Sequence, residues 1–165
     1  MEILVMKSAV IKRRNQNGAV AVVVALSIAM LVGFVGLALD LGKLFVVKSE
    51  LQASADACAL AAARELTGAS AAQLGIAEAA GMTTGARNLV MFQRENVVLA
   101  ENDSVEFSET ANGGYATKDG VGAAAALNMK FARCRVERNA IANWFIEALN
   151  AIPGVSITSQ DMSAT

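Results

Sequence analysis

Histidine is absent from the chain, which removes the commonest general base near neutral pH and the commonest metal ligand. Cysteine is nearly absent too, and the two present, Cys58 and Cys134, cannot build a four-thiolate zinc site. Together these gaps argue against a hydrolase or a metalloenzyme. Aromatic residues make up only 5% of the sequence and proline occurs once. A net charge of −1 leaves no global field to attract nucleic acid or an anionic surface. What the chain has in excess is aliphatic: hydrophobic residues reach 55%, above the roughly 45–50% of ordinary soluble domains, and alanine, valine and leucine supply it. At 165 residues there is room for one compact domain of about 100–120 residues beside a membrane segment.

That segment runs from Ala19 to Leu39, AVAVVVALSIAMLVGFVGLAL, without a charge. As a helix it is long enough for the ~30 Å hydrocarbon core. Ser27 is its one polar residue, and a helical serine bonds a carbonyl one turn back. Lys7, Lys12, Arg13 and Arg14 precede it against the single acid Glu2, which places the N-terminus in the cytoplasm and everything after Asp40 across the membrane. The expected division is a basic cytoplasmic segment at 1–17, a transmembrane helix at 18–40 and an extracytoplasmic domain at 41–165. A cleaved secretory signal fits less well, because the apolar core is too long and Leu37 and Leu39 stand where small residues would be needed. Ala21, Ala25, Ala29 and Gly33 recur every four residues, a small-residue seam along which another helix can approach closely; chance recurrence in an alanine-rich run is the alternative. Asp40 falls at the outer boundary, where an acid reaches headgroup water or pairs with Lys43 one turn on.

Nothing resembling a turn interrupts residues 40–66, so the helix is expected to continue outward. Leu44, Val47, Leu51, Ala55, Cys58 and Ala62 fall at three- and four-residue steps and form one apolar stripe, with Lys48, Gln52, Asp56 and Arg64 largely off it. Thr67-Gly68 is the stop, which gives a helical extension at 41–68. The predicted fold class is α+β and pilin-like: a single N-terminal transmembrane helix continues into a long amphipathic helix packed on a small antiparallel sheet.

Three stretches carry a family resemblance: Asn17-Gly18-Ala19-Val20-Ala21-Val22 after the basic segment, Gly36-Leu37-Ala38-Leu39-Asp40-Leu41-Gly42 at the far end of the apolar run, and Leu51-Gln52-Ala53-Ser54-Ala55-Asp56-Ala57-Cys58-Ala59-Leu60-Ala61-Ala62-Ala63. They resemble the N-terminal domain of the TadG-like proteins of the Tad (tight adherence, Flp pilus) system, over roughly residues 12–68. The residues that carry it most clearly are Gly18, Asp40, Leu51, Gln52, Asp56 and Ala57. The resemblance implies a non-enzymatic component of pilus assembly and associated secretion in the bacterial inner membrane. Its partners would be membrane lipid and other pilus-assembly or pilin-like proteins. Related TadE-like pseudopilins carry a glutamate five residues after the glycine cut by a prepilin peptidase. Here that position is Val23, so cleavage after Gly18 is not expected. Longer TadG-like proteins carry a metal-binding Asp-x-Ser-x-Ser motif; Asp161-Met162-Ser163-Ala164-Thr165 is read as coincidence.

Beyond residue 68, Ser70 and Gln73 have the form of a capping box opening a helix to about Thr83 or Arg87, weakened by Gly75 and Gly81. Residues 97–100 and 104–108 read as strands, Asn112-Gly113-Gly114 as a turn, and 127–136 as a half-buried strand. Its alternation breaks near Ala132, which calls for a bulge or for burial of both faces. Asn139 is a candidate cap for a third helix with Ile141, Trp144, Phe145, Ala148, Leu149 and Ile152 on its apolar face, ending at Pro153-Gly154, and 155–158 reads as a last strand.

Cys58 and Cys134 would both face an oxidising compartment. A bridge between them closes a loop of about 75 residues, and in the chain-entropy view contributes about 4.5 kcal/mol; two separately buried thiols are the alternative. Lys130, Arg133, Arg135 and Arg138 read as a solvated strand face rather than a nucleic-acid patch. Glu101, Asp103, Glu106 and Glu109 lack the glycine and terminal glutamate of a calcium loop. Gly120-Val121-Gly122 lacks the length and lysine of a phosphate loop. No catalytic constellation, cofactor site, metal site or small-molecule substrate is predicted. The competing functional class is a membrane-anchored extracytoplasmic binding or sensing module unrelated to pili, and its mark would be a ligand pocket.

Overall fold

The computed structural model describes residues 17–92, 94–151, 153–157 and 159–165. The basic residues Lys7, Lys12, Arg13 and Arg14 lie outside the described residues, as does nearly all of the segment read as cytoplasmic. The chain divides into two compact units after Val35. In the first, the described residues belong to helix α1 (Asn17–Arg64). Every residue from Gly18 to Val35 is exposed, Leu26, Leu31 and Phe34 included. With its apolar residues turned outward all round and no charge up to Val35, this helix is long and apolar enough to cross a membrane. Ser27 Oγ donates to the Val23 carbonyl at 2.9 Å, so its one hydroxyl is satisfied within the helix.

The second unit, Gly36–Thr165, is α+β. The part of α1 within it is its spine, and all six stripe residues, Leu44, Val47, Leu51, Ala55, Cys58 and Ala62, are buried. Two cores form along that stripe. Leu44, Val47, Leu51 and Ala55 pack with Val90, Val97, Val136, Ile141 and Ala164. Cys58 and Ala62 pack with Leu74, Ala77, Val105, Phe107, Ala126, Met129 and Cys134. The helix ends at Arg64, and Gly68, at φ +74°, takes the left-handed conformation that lets the chain reverse.

Helix α2 (Gln73–Gly85) lies against α1 so closely that side chains there would collide. A Cβ on Gly81 would sit 3.1 Å from the Cys58 carbonyl, and one on Gly85 would sit 3.0 Å from Cys58 Cβ. Gly81, which weakens this helix in isolation, is therefore part of its packing face together with Gly85, whereas a Cβ on Gly75 would meet nothing within 4 Å. The capping box does not form. Ala72 holds the cap position without a side-chain bond, Ser70 Oγ accepts from Ala72 N–H, and Gln73 bridges the Gly68 N–H and the Ala126 carbonyl.

The strands form three two-stranded antiparallel sheets among the described residues, where a single small sheet was expected. β1 (Leu89–Val90) pairs with β2 (Glu95–Asn96), β3 (Val105–Ser108) with β4 (Phe131–Cys134), and β5 (Val136–Ile141) with β6 (Gln160–Ala164). Residues 97–100 are not a strand, although Val97 is buried. The predicted strand at 127–136 is two: 127–130 precede β4, and after Cys134 the chain passes to a different sheet. That resolves the broken alternation without a bulge there, because Phe131 faces outward while Cys134 and Val136 face inward.

Two further expectations fail in the last quarter. Among the described residues no α-helix follows Asn139, which lies within β5; that strand runs to Ile141 and is followed by turns and a short 3-10 helix, Glu147–Ala151. Ile152 lies outside the described residues. The final strand is β6, not 155–158, and Thr158 is likewise outside the described residues. Asp161, in β6, accepts a hydrogen bond from Ala140 N–H at 3.0 Å, beside the register shift between Arg138 and Ile141. Asp161 and Ser163 are thus strand residues, which is a structural use for the terminal Asp-x-Ser-x-Thr stretch.

Candidate functional site

A buried acid of the second unit lies at the end of the apolar run. Asp40 is 2% exposed. Its carboxylate neither reaches solvent nor pairs with Lys43, and instead accepts three backbone hydrogen bonds, from Trp144 N–H at 3.1 Å, Phe145 N–H at 2.8 Å and Ile146 N–H at 2.6 Å. These are the N–H groups left free where a helical turn begins: Glu147 N–H donates back to the Asn143 carbonyl, Ala148 to Phe145 and Leu149 to Ile146. An acid at such a start is favoured both as an acceptor and by the local dipole. The cap is supplied from α1 rather than by Asn139.

One turn before Asp40 in α1, Gly36 leaves the space that the Phe145 ring fills. A Cβ there would fall 2.5 Å from Phe145 Cδ1 and 2.6 Å from Cγ. One turn on the other side, Lys43 Nζ donates to the Ala142 carbonyl at 2.6 Å and lies 5.2 Å from the centre of the Trp144 ring, within cation–π range. Asn143 is fully buried between these contacts. Gly36, Asp40 and Lys43, spaced by four and three residues on one helix face, thus clamp the 142–146 loop. The isolated acid four residues after a glycine was the available sequence signal, but its partner could not be read from it.

Farther along α1, Leu51 is buried in the first core and Ala57 is half-buried. Gln52 donates to Asp56 Oδ1 at 2.9 Å and to the Thr165 carbonyl at 3.2 Å, and Lys48 donates to the Ser163 carbonyl. The polar residues beside the stripe therefore hold the C-terminal strand. Cys58 and Cys134 are joined in a disulfide with their Cα atoms 6.0 Å apart, which ties α1 to β4. In the first unit Gly18, Ala21, Ala25, Ala29 and Gly33 are exposed.

The other charged clusters are paired internally. Arg133 meets Glu106, Arg135 meets Glu137 and Arg138 meets Glu95, so the basic group is largely neutralised. Lys118 Nζ lies 2.5 Å from Glu78 and 2.9 Å from Glu101, in a shallow depression also lined by Gly75, Met82 and Thr83. Hydrogen bonds to Glu78 first, and then to Glu101, hold the Lys118 ammonium protonated well above the ordinary lysine range. The hydrogen bond and charge of Lys118 hold the Glu101 carboxyl below its usual range. No group of three or more His, Cys, Asp or Glu residues able to hold a metal ion occurs among the described residues.

Residues 18–65 match the family model described as Flp pilus-assembly TadE/G-like (Tad). The match supports a TadG-like N-terminal domain and coincides almost residue for residue with α1. No curated protein and no solved structure matched the chain.

Proposed function

We propose that this chain is a single-pass, non-enzymatic component of Flp pilus assembly and associated secretion, anchored in a bacterial inner membrane. The carrying observation is that the TadE/G-like match at 18–65 falls on a helix serving two surroundings. Up to Val35 its side chains are exposed and apolar; from Leu44 to Ala62 a stripe of the same helix is buried in two cores. Residues 18–40 then cross the bilayer, the basic residues of 1–17 stay in the cytoplasm by the positive-inside rule, and 41–165 lie on the far side. The Cys58–Cys134 bridge suits an oxidising compartment.

The working division of labour is pilin-like. The membrane helix packs with other assembly proteins, with Ala21, Ala25, Ala29 and Gly33 allowing close approach, and the outer domain contacts pilus or secretion partners. Val23, five residues after Gly18, leaves the chain unprocessed. The test is fractionation of host cells at native expression. Recovery of the chain with sheared surface filaments, or with the secretion ATPase complex after mild solubilisation, supports the proposal. Recovery as a lone membrane protein, in cells whose pili are unchanged by its deletion, contradicts it.

A further inference from the structure

Trp144, on the loop that Asp40 clamps, is 74% exposed, and Leu149, in the short 3-10 helix that follows, is 46% exposed. Large apolar side chains grouped on a surface mark a contact, and their height along α1 identifies it. The uncharged run ends at Leu39, next to Asp40. A rise of ~1.5 Å per residue puts Gly36 about 6 Å inside that boundary. The Phe145 ring lies against Gly36, at the level of the last apolar turn rather than above it. Lys43, which holds the Ala142 carbonyl and underlies the Trp144 ring, is a cation on a long apolar stem of the kind that snorkels to headgroups. Tryptophan with lysine at the end of a span is the usual composition of the membrane–water interface.

We propose that residues 142–149 form a second membrane contact. Trp144, Phe145 and Leu149 enter the headgroup–acyl boundary of the bilayer that α1 crosses, and Asp40 and Gly36 hold the loop at that depth. The inference rests on the membrane-spanning reading of α1. The occupant is lipid because the loop is continuous with the apolar run through the Phe145–Gly36 contact, and Glu147 is its one charged residue. The contact fixes the depth at which α1 leaves the bilayer.

Trp144 is the sole tryptophan of the chain, so indole fluorescence of the full protein in phosphatidylcholine vesicles reports this loop alone. The expected result is blue-shifted emission, weak quenching by acrylamide, and quenching about twofold stronger by lipid brominated near the headgroup than by lipid brominated near the chain end. A second protein carrying Phe34→Trp and Trp144→Phe reports the span. Quenching of this span reporter by bromolipid, with Trp144 water-exposed and untouched by it, overturns the loop contact and leaves the span intact. Failure of both reporters to quench overturns both. Shielding of Trp144 from acrylamide and bromolipid alike, gained only when assembly partners are retained, assigns the loop to protein and also overturns the proposal.

Discussion

Asp40 and Phe145, 105 residues apart in sequence, are joined by a hydrogen bond of 2.8 Å from the Phe145 backbone to the buried carboxylate. The same carboxylate serves Trp144 and Ile146, so one side chain at the end of the apolar run replaces the cap that the 144–151 segment lacks. Charge-assisted acceptors of this kind are the stronger class of hydrogen bond. Asp40→Asn keeps the volume but offers one acceptor oxygen and turns an N–H₂ toward N–H donors. The expected cost is about 1–3 kcal/mol, read as faster hydrogen exchange of the 144–146 amides in detergent-solubilised protein. Unchanged exchange there contradicts the cap.

Gly36 is defined by what occupies the space beside it. Gly36→Ala places a methyl carbon within 2.8 Å of three Phe145 atoms, an overpacking that costs about 1–3 kcal/mol. Phe145→Ala in the same chain relieves the clash, so the two changes together cost less than their sum. Strict additivity in urea titrations would show that the ring does not rest there.

The disulfide joins positions separated by 76 residues. Replacing Cys58 and Cys134 by serine lowers the stability of the second unit by about 2–5 kcal/mol, measured as a lower urea midpoint, and a reductant does the same to the unmodified protein. Thiol-specific labelling of both cysteines in unfolded, unreduced protein from the native host contradicts the bridge.

The Lys118 cluster gives a pH signature. Glu101 is depressed, so its contribution is present above the ordinary glutamate value of about 4.3 and is lost as pH falls through its lowered value. Lys118 is raised, so its contribution is present below about 10.4 and is lost as pH rises through its raised value. The stability difference between the wild type and Lys118→Met is therefore level from about pH 5 to pH 10 and narrows on further acidification. A difference that widens below about pH 4 contradicts the assignment.

The part of the fold legible in the sequence was the part written in a single period. Six stripe residues from Leu44 to Ala62 repeat at helical steps, and all six are buried, because a long helix advertises its covered face locally. The 139–152 segment shows where local pattern fails. Ile141, Trp144, Phe145 and Leu149 fit a helical face equally well, but β6 takes residues up to Ile141 into a sheet, and the clamp by Asp40 sets the turns beyond it. β6 itself, QDMSA, alternates only over Asp161-Met162-Ser163-Ala164, with two apolar residues, Met162 and Ala164, turned to the first core, too short a pattern to announce a strand. Gly81 reads as helix weakness because its value depends on Cys58 lying directly across. In the candidate site Asp40 stood out as an acid at the end of an apolar run, whereas its role needed a partner 104 residues away.

Passage of α1 across a membrane, with the second unit on the far side, is tested most directly by side-specific labelling. Ser8→Cys and Ser156→Cys are introduced singly into the otherwise unmodified chain, and intact spheroplasts of the host are treated with a membrane-impermeant maleimide. Labelling is predicted at position 156 before lysis and at position 8 only after it. Labelling at position 8 in intact spheroplasts, or release of the protein from membranes by alkaline carbonate, would contradict that topology.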